Sequence, residues 1–307
     1  MLYPRSITTF INFIRNRFSS LIFQTIKLNK QYWDKKIPNL QYGTPNPVNA
    51  FSTDKEKFSE AMTTFNFAGV YKTTQSGRHA ETQLYLKKHF INSPSATTIL
   101  DIGASDGSTS LDFINLIYSY LKKYYVTDYN IKCTYFSHKG YTYFFNNAQT
   151  CFLVASKKFV FYPANKKLFN FLFKKKLDKL KAFPKEELLL INHDLKVKKQ
   201  ENQIINILEY NVFEPWSKEK VDIAVVGNLL NRAYFTDTQI KTALKNCYDA
   251  LTENGILTVI RNAHTSNNEE IERSTIYKKD NKEKVFNKIH EINNGVEINE
   301  FILSLKF

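Results

Sequence analysis

The sequence predicts an α/β fold: a doubly wound, seven-stranded, mostly parallel sheet with a terminal antiparallel hairpin, an N-terminal helical cap, and an insertion made of a β-hairpin and a basic helix. Three observations predict it. The β-rich run from Thr97 to Asp101 breaks into Gly103, Ser105 and Gly107, after which Leu111, Ile114, Ile117 and Leu121 recur at helical spacing; strand, tight turn and helix follow one another. The near-continuous apolar run Val221 to Val226 suits a strand buried on both faces of a parallel sheet. A helical pattern from about Asp237 to Leu251, stopping near Asn254-Gly255, then gives way to a further strand, Ile256 to Arg261.

Taken in order, residues 7 to 26 place Ile7, Phe10, Ile11, Ile14, Phe18, Leu21 and Ile22 on one side of a helix. From Lys35 to Ser52 the Pro, Gly, Asn and Thr content predicts an extended loop. Residues 1 to 90 are therefore read as a cap, and 91 to 307 as the main domain with an insertion at about 130 to 200. Tyr124 to Thr127 is the second core strand and ends at Asp128. Inside the insertion, Tyr141 to Phe145, Cys151 to Ala155 and Phe159 to Tyr162 read as short antiparallel strands. A basic helix over 165 to 183 follows. Ile204 to Leu208, with a turn at Asn211, resumes the alternation. Val285 to Ile292 and Val296 to Leu303 flank Asn293-Asn294-Gly295, which predicts a terminal hairpin across that turn.

The length of 307 residues allows a large core, and 43% hydrophobic residues with 25 Phe and 18 Tyr exclude a disordered or fibrous chain. A formal charge of +14 raises polyanion partners. Yet only seven of the 43 basic residues are Arg, and residues 151 to 200 alone hold thirteen Lys against four acids. The charge is local, which favours an anionic membrane surface or an acidic substrate over nucleic acid, with Phe169, Phe173 and Phe183 as apolar insertions into lipid. Cys133, Cys151 and Cys247 form no CxxC pair, so no disulfide framework or thiolate metal site is indicated, and the six histidines lack metal spacing. Arg15 and Arg17 interrupt the N-terminal apolar run. The expected location is cytoplasmic, with peripheral membrane contact as a further expectation.

The chemistry lies in Asp101-Ile102-Gly103-Ala104-Ser105-Asp106-Gly107. A carboxylate at the end of a strand, glycines in the turn and a helix N-terminus build a nucleotide-like site at the carboxyl edge of the sheet. A dinucleotide site spaces its glycines G-x-G-x-x-G to seat a pyrophosphate. Here three residues separate Gly103 from Gly107, and an acid stands two positions before the first. That acid would repel a pyrophosphate and suit a cofactor bearing an ammonium and a sulfonium, such as S-adenosylmethionine.

The stretch resembles the first motif, D/E-x-G-x-G-x-G, of class I S-adenosylmethionine-dependent methyltransferases, with Ser105 at the middle Gly. The resemblance implies S-adenosyl-L-methionine as cofactor and a Rossmann-like fold over Thr97 to Phe307. It also implies cofactor contacts from Asp101, Gly103, Ser105 and Gly107, ribose recognition by Asp128, 27 residues further on, and adenine contact by Asn211. Asp222 to Asn231 is similar to the family's fourth motif, with Asn228 near cofactor and acceptor, and Leu251 to Gly255 to its turn before the fifth strand. Asn228 to Phe235 also resembles chemotaxis-receptor methyltransferases, with Gly227 where those carry Arg. The cap and insertion resemble accessory methyltransferases of bacterial surface-glycan pathways. His79 and His264 are the candidate bases, and Arg78 a candidate partner for the cofactor carboxylate. The expected reaction is O-methylation of a glycan, lipid-linked or other small-molecule acceptor. Protein carboxylate or RNA methylation, and a catalytically silent scaffold, remain open on the sequence.

Overall fold

A computed structural model describes the chain except residues 1–39, 43–45, 68–69, 73–74, 157–158, 163–172, 174, 181–182 and 265–269. The helix expected over 7 to 26 lies outside the described residues. The chain forms two compact units, residues 1–72 with 132–189, and residues 73–131 with 190–307.

The first unit is built on a six-stranded antiparallel sheet. β1 (Leu40–Tyr42) is one edge, and a short helix α1 (Lys55–Met62) and the small pair β2 (Asn66–Phe67) and β3 (Val70–Tyr71) follow it in sequence. The main strands are β6 (Lys132–His138), β7 (Tyr141–Phe145), β8 (Cys151–Ser156), β9 (Phe159–Phe161) and β10 (Glu186–Leu189), in the order β1-β9-β8-β7-β6-β10. Three of these strands match the expected ones; β6 and β10 were not anticipated. Alternation along β7 and β6 sends Phe136, Tyr143 and Phe145 into a cluster with Phe161 and Phe173. Phe173, read from sequence as a lipid insertion, is 4% exposed and packs edge-on to Phe161 with centroids 5.0 Å apart. It is core, because a ring on this sheet face buries more apolar area against the rings of Tyr141, Tyr143 and Phe161 than an isolated surface position would. Within the expected basic helix, the described helix is α4 (Lys175–Leu180).

The second unit is the predicted doubly wound fold. Its strands are β4 (Thr97–Ile102), β5 (Leu121–Asp128), β11 (Ile205–Glu209), β12 (Val221–Gly227), β13 (Leu251–His264), β14 (Glu270–Asp280) and β15 (Val285–Ile292), in the order β11-β5-β4-β12-β13-β14-β15. The first five neighbours pair in parallel and β14 runs against both β13 and β15. All six residues of β4 are buried, the signature of a central parallel strand. Helices α2 (Ala80–Phe90), α3 (Ser108–Ile117), α5 (His193–Glu201) and α6 (Asp237–Ala250) accompany the sheet. α6 opens with a capping box between Thr236 and Gln239 and buries Ile240, Ala243, Leu244 and Cys247 against the sheet.

The terminal hairpin differs from its prediction. Val285–Ile292 pairs with Glu270–Asp280 and not with 296 to 303, which instead contains the short helix α7 (Asn299–Leu303). Asn293, Asn294 and Gly295 do turn through positive φ (51°, 66° and 65°), but the turn leads into α7. Val296 N–H donates to the Thr275 hydroxyl at 3.0 Å, which directs the chain back across β14. Residues 190 to 201, expected within the insertion, supply α5 to the second unit. Among the described residues no helix is long and apolar enough to cross a membrane. All three cysteines are buried and free.

Candidate functional site

β4 ends in a turn with left-handed backbone at every second residue: Gly103 at φ 77°, Ser105 at 58° and Gly107 at 79°. The two glycines make room for leucines of the same chain. A Cβ on Gly107 would stand 2.3 Å from Leu195 Cδ2 of α5, and one on Gly103 would stand 3.3 Å from Leu229 Cδ2. α5 is fastened to the turn by Asn192, whose N–H and side-chain amide both donate to the Asp106 carbonyl at 2.9 and 3.0 Å.

The turn spends most of its donors internally. Gly103 and Ala104 N–H donate to the Thr127 carbonyl, Ser105 N–H to Asp128 Oδ2, Gly107 N–H to the Ala104 carbonyl and Ser108 N–H to Asp106 Oδ1, all at 2.9 Å. A pyrophosphate needs such groups pointing outward. What the turn gathers instead are three carboxylates, Asp101, Asp106 and Asp128.

Asp101 is 7% exposed. Its Oδ2 accepts from the Ser110 hydroxyl at 2.7 Å and the Tyr124 hydroxyl at 2.8 Å, while Oδ1 has no partner among the described residues. Burial lifts its pKa to about 6 against the opposing pull of those hydroxyls, with the Asp128 charge adding to the rise. Asp128, at the tip of β5, orders the turn through Ser105 and the next loop through Asn130 N–H at 2.8 Å. Tyr129 beside it is 55% exposed. Asn211 folds into an Asx turn, accepting from Phe213 N–H at 3.1 Å and donating to Glu214 at 3.2 Å. It sits one residue past Tyr210, whose N–H donates to the Asp128 carbonyl at 3.3 Å.

A second cluster lies at the carboxyl ends of β12 and β13. Asn228, in left-handed backbone at φ 54°, accepts from Asn262 N–H at 2.7 Å and donates to Asn262 Oδ1 at 2.6 Å, so its side chain continues the ladder past the end of β12. Asn262 Oδ1 also lies 3.0 Å from His79 Nε2. Because Oδ1 can only accept, this 3.0 Å approach favours the tautomer with the proton on Nε2 over the one that would accept from the Asn228 amide at 3.4 Å, and in it Nδ1 keeps its lone pair. His79 is 7% exposed, and burial lowers its pKa to about 4 against the support of Asn262. The imidazole is therefore neutral at pH 7.

His79 precedes the first residue of α2, and its segment is strapped on both sides. Ser76 and Gly77 donate to Asp112, Glu272 accepts from Glu81 and Thr82 N–H at 3.2 and 3.0 Å, and Gln83 donates to the Thr109 carbonyl at 2.9 Å. A Cβ on Gly227 would lie 2.8 Å from His79 Cε1, so only glycine lets the ring seat there. Arg78 is engaged by Glu270 at 2.5 Å and its carbonyl by Asn262. The His264 side chain lies outside the described residues; its backbone pairs with Glu270.

The structure thus brings Asp101, Gly103, Ser105, Gly107 and Asp128 into one turn and His79 with Asn228 into one network. Asn262, Ser110 and Tyr124 were not singled out in the sequence. Asn262 was readable in principle, as an Asn just past the apolar run of the strand next to β12, whose end Asn228 follows. Among the described residues no three His, Cys, Asp or Glu side chains converge as metal ligands.

No protein-family profile matches the chain, and no curated protein matches it. Among solved structures it is similar to the N-methyltransferase NodS from Bradyrhizobium japonicum WM9, with 14% identity over 62% of this chain and 70% of that one and a TM-score of 0.32. It is also similar to human N-acetylserotonin methyltransferase (12%, 63% and 35%, TM-score 0.31) and to the O-methyltransferase NcsB1 from neocarzinostatin biosynthesis (11%, 61% and 42%, TM-score 0.31). The matched region spans well under half of the latter two. Likenesses of this size assign neither a family nor an activity to the chain.

Proposed function

We propose that the chain is an S-adenosylmethionine-dependent methyltransferase that transfers the methyl group to a hydroxyl of a glycan, lipid-linked or other small-molecule acceptor. The observation that carries this reading is the turn after β4, which offers carboxylates where a pyrophosphate site would offer N–H groups. The residues present fit the cofactor: Asp101 Oδ1 is available to an ammonium, the Asp128 carboxylate stands at the β5 tip where ribose hydroxyls could donate to it, and the exposed Tyr129 ring adjoins it. When bound, the cofactor supplies an electrophilic methyl on a sulfonium.

The chain's own residues would then orient the acceptor and handle its proton. His79, neutral and fixed with Nε2–H on Asn262, presents Nδ1 as the acceptor for a hydroxyl proton. Asn228 and Asn262 hold the ring and do not need to touch the acceptor. Burial of His79 makes it a weak base, suited to accepting a hydrogen bond from the hydroxyl first and its proton as charge leaves the oxygen. Arg78, already paired with Glu270, is the candidate partner for a cofactor carboxylate.

Titration calorimetry with S-adenosylmethionine tests the cofactor: saturable binding in the wild type and at least tenfold weaker binding in Asp101→Asn are expected. Binding of NAD in its place, or no binding by a folded sample, overturns the reading. Tritiated methyl transfer into fractionated lipid, glycan, RNA and protein identifies the acceptor. Label confined to protein carboxyl groups or RNA would redirect the acceptor class while leaving the cofactor assignment intact.

A further inference from the structure

α2 begins at Ala80, so His79 stands at its N-cap, the position whose side chain ordinarily accepts from the N–H of the second or third helical residue. The imidazole does not do so. The donors of the first turn are engaged all the same. Ala80 N–H donates to the Gly77 carbonyl at 3.3 Å, and Gln83 N–H closes the turn on the His79 carbonyl at 3.0 Å. Between them, Glu81 N–H donates to Glu272 Oε2 at 3.2 Å and Thr82 N–H to Glu272 Oε1 at 3.0 Å. The two N–H groups that an N-cap side chain would serve are thus both taken by one carboxylate of a distant strand.

Glu272 lies on β14 and is 9% exposed. In the antiparallel pairing of β13 with β14 its Cα partner is Asn262, so the two side chains leave the same face of one rung. Asn262 Oδ1 receives the His79 ring at 3.0 Å, and Glu272 receives the backbone that follows it. Two residues along the same face, the Ser274 hydroxyl accepts from Thr82 Oγ1 at 2.6 Å. The Glu272 carbonyl accepts from the Asn293 amide at 2.8 Å, which ties the rung to the turn after β15. Burial raises the Glu272 pKa, the bonds from Thr82 and Glu81 N–H oppose that rise, and the Glu81 charge adds to it. An acidic acceptor here also meets the positive end of the helix dipole.

We propose that Glu272 is a positioning residue for His79: by capping α2 in place of the N-cap side chain, it releases the imidazole to turn onto Asn262 and keeps Nδ1 clear of the helix N–H groups. An imidazole that capped its own helix would spend that lone pair on an N–H of the first turn, and could not offer it to an acceptor hydroxyl. One rung of the sheet therefore sets both the ring, through Asn262, and the backbone that carries it, through Glu272. The role rests on the reading of His79 as the proton acceptor. The cap and the seating of the ring can be measured without any methyl donor.

The test is a pH titration of the His79 ring nitrogens by NMR in the full chain, wild type against Glu272→Ala. Without its cap the start of α2 loosens and the ring regains water, so the midpoint should rise from about 4 toward the ordinary histidine value by about 1 unit or more. Loss of the Glu272 charge alone would move it down, so the sign separates positioning from charge. The charges that already act on the ring, Arg78, Glu270 and Asp112, are the same in both proteins. A second measurement reads the cap itself. His79→Asn places an accepting side chain at the N-cap, and in Glu272→Ala it should raise the folding equilibrium constant about fivefold more than in the wild-type background, the size of one N-cap interaction. Should Glu272→Ala fail to fold, Glu272→Gln, which keeps one accepting oxygen, should move both readings in the same directions. A midpoint at or below the wild-type value in a folded variant, or an equal effect of His79→Asn in both backgrounds, overturns the proposal. A chain that passes both measurements and binds no S-adenosylmethionine loses the methyl-transfer reading alone.

Discussion

His79 and Asn262, 183 residues apart in sequence, meet with Nε2 and Oδ1 at 3.0 Å, and the same Asn262 oxygen accepts from Asn228 at 2.6 Å. One carbonyl oxygen therefore fixes both the tautomer of the imidazole and its place beside the end of β12. Replacing Asn262 with Asp puts a negative charge on that oxygen and should raise the His79 pKa from about 4 by about 1–3 units. Ring-nitrogen chemical shifts over a pH titration report both the proton position and the midpoint. If Asn262→Asp leaves the midpoint where it is in the wild type, the bond does not hold the ring in solution.

Asp101 and His79 give stability opposite dependences on acid. The Asp101 pKa is raised to about 6, so the folded chain binds this proton before the unfolded one does, and its contribution grows as pH falls from about 6 toward 4. The His79 pKa is lowered to about 4, so the unfolded chain takes up this proton first and stability is lost as pH falls from 6.5 toward 4. Each change of about two units corresponds to about 3 kcal/mol, and in the wild type the two nearly cancel. Asp101→Asn removes one side of the balance. Relative to wild type, its urea-unfolding free energy should fall by about 3 kcal/mol between pH 6.5 and 4, and parallel profiles for the two proteins would defeat the argument.

Gly107 carries two constraints, a φ of 79° and the Leu195 side chain where a Cβ would be. Gly107→Ala should cost about 2–4 kcal/mol, the sum of left-handed strain and overpacking. The two parts are separable. Adding Leu195→Ala relieves the clash but leaves the strain, so the double variant should lose less than the sum of its single changes, with a coupling of about 1 kcal/mol or more in denaturant unfolding. Strict additivity would mean that the turn and α5 do not touch.

The core of the second unit was legible because its physics is local. β4 and β12 are buried along most of their length, so they read as a β-rich and a near-continuous apolar run, and the turn between β4 and α3 announces itself by glycine. β14 was not legible, because its buried positions include Glu272, Ser274, Thr275 and Lys279, whose polar groups find partners only from other segments. With no apolar alternation to mark that strand, Asn293-Asn294-Gly295 drew the hairpin one element too late. α5 was hidden in the same way: Leu195 is its one buried residue, and the rest of the helix reads as solvent-facing lysine. For the site, Asp101 and the glycines follow from spacing. The bond of His79 to Asn262 depends on strand register across the sheet, which no short window of sequence contains.

Ser105 stands where the resembling motif has glycine, and at φ 58° it holds a conformation that costs a residue with a Cβ on the order of 1 kcal/mol. Its N–H is held by Asp128 at 2.9 Å, so the turn maintains that conformation through the carboxylate at the β5 tip. Ser105→Gly removes the steric strain but enlarges the freedom of the unfolded chain, two effects of opposite sign and similar size. The net change in unfolding free energy should lie within about 1 kcal/mol of zero, because the N–H bond to Asp128 survives the substitution. Ser105→Val, which adds a branched Cβ to the same backbone, should lose about 2 kcal/mol or more. If Val is tolerated as well as Gly in denaturant unfolding, the residue is not in left-handed backbone, and the alternation of Gly103, Ser105 and Gly107 cannot be what shapes the turn.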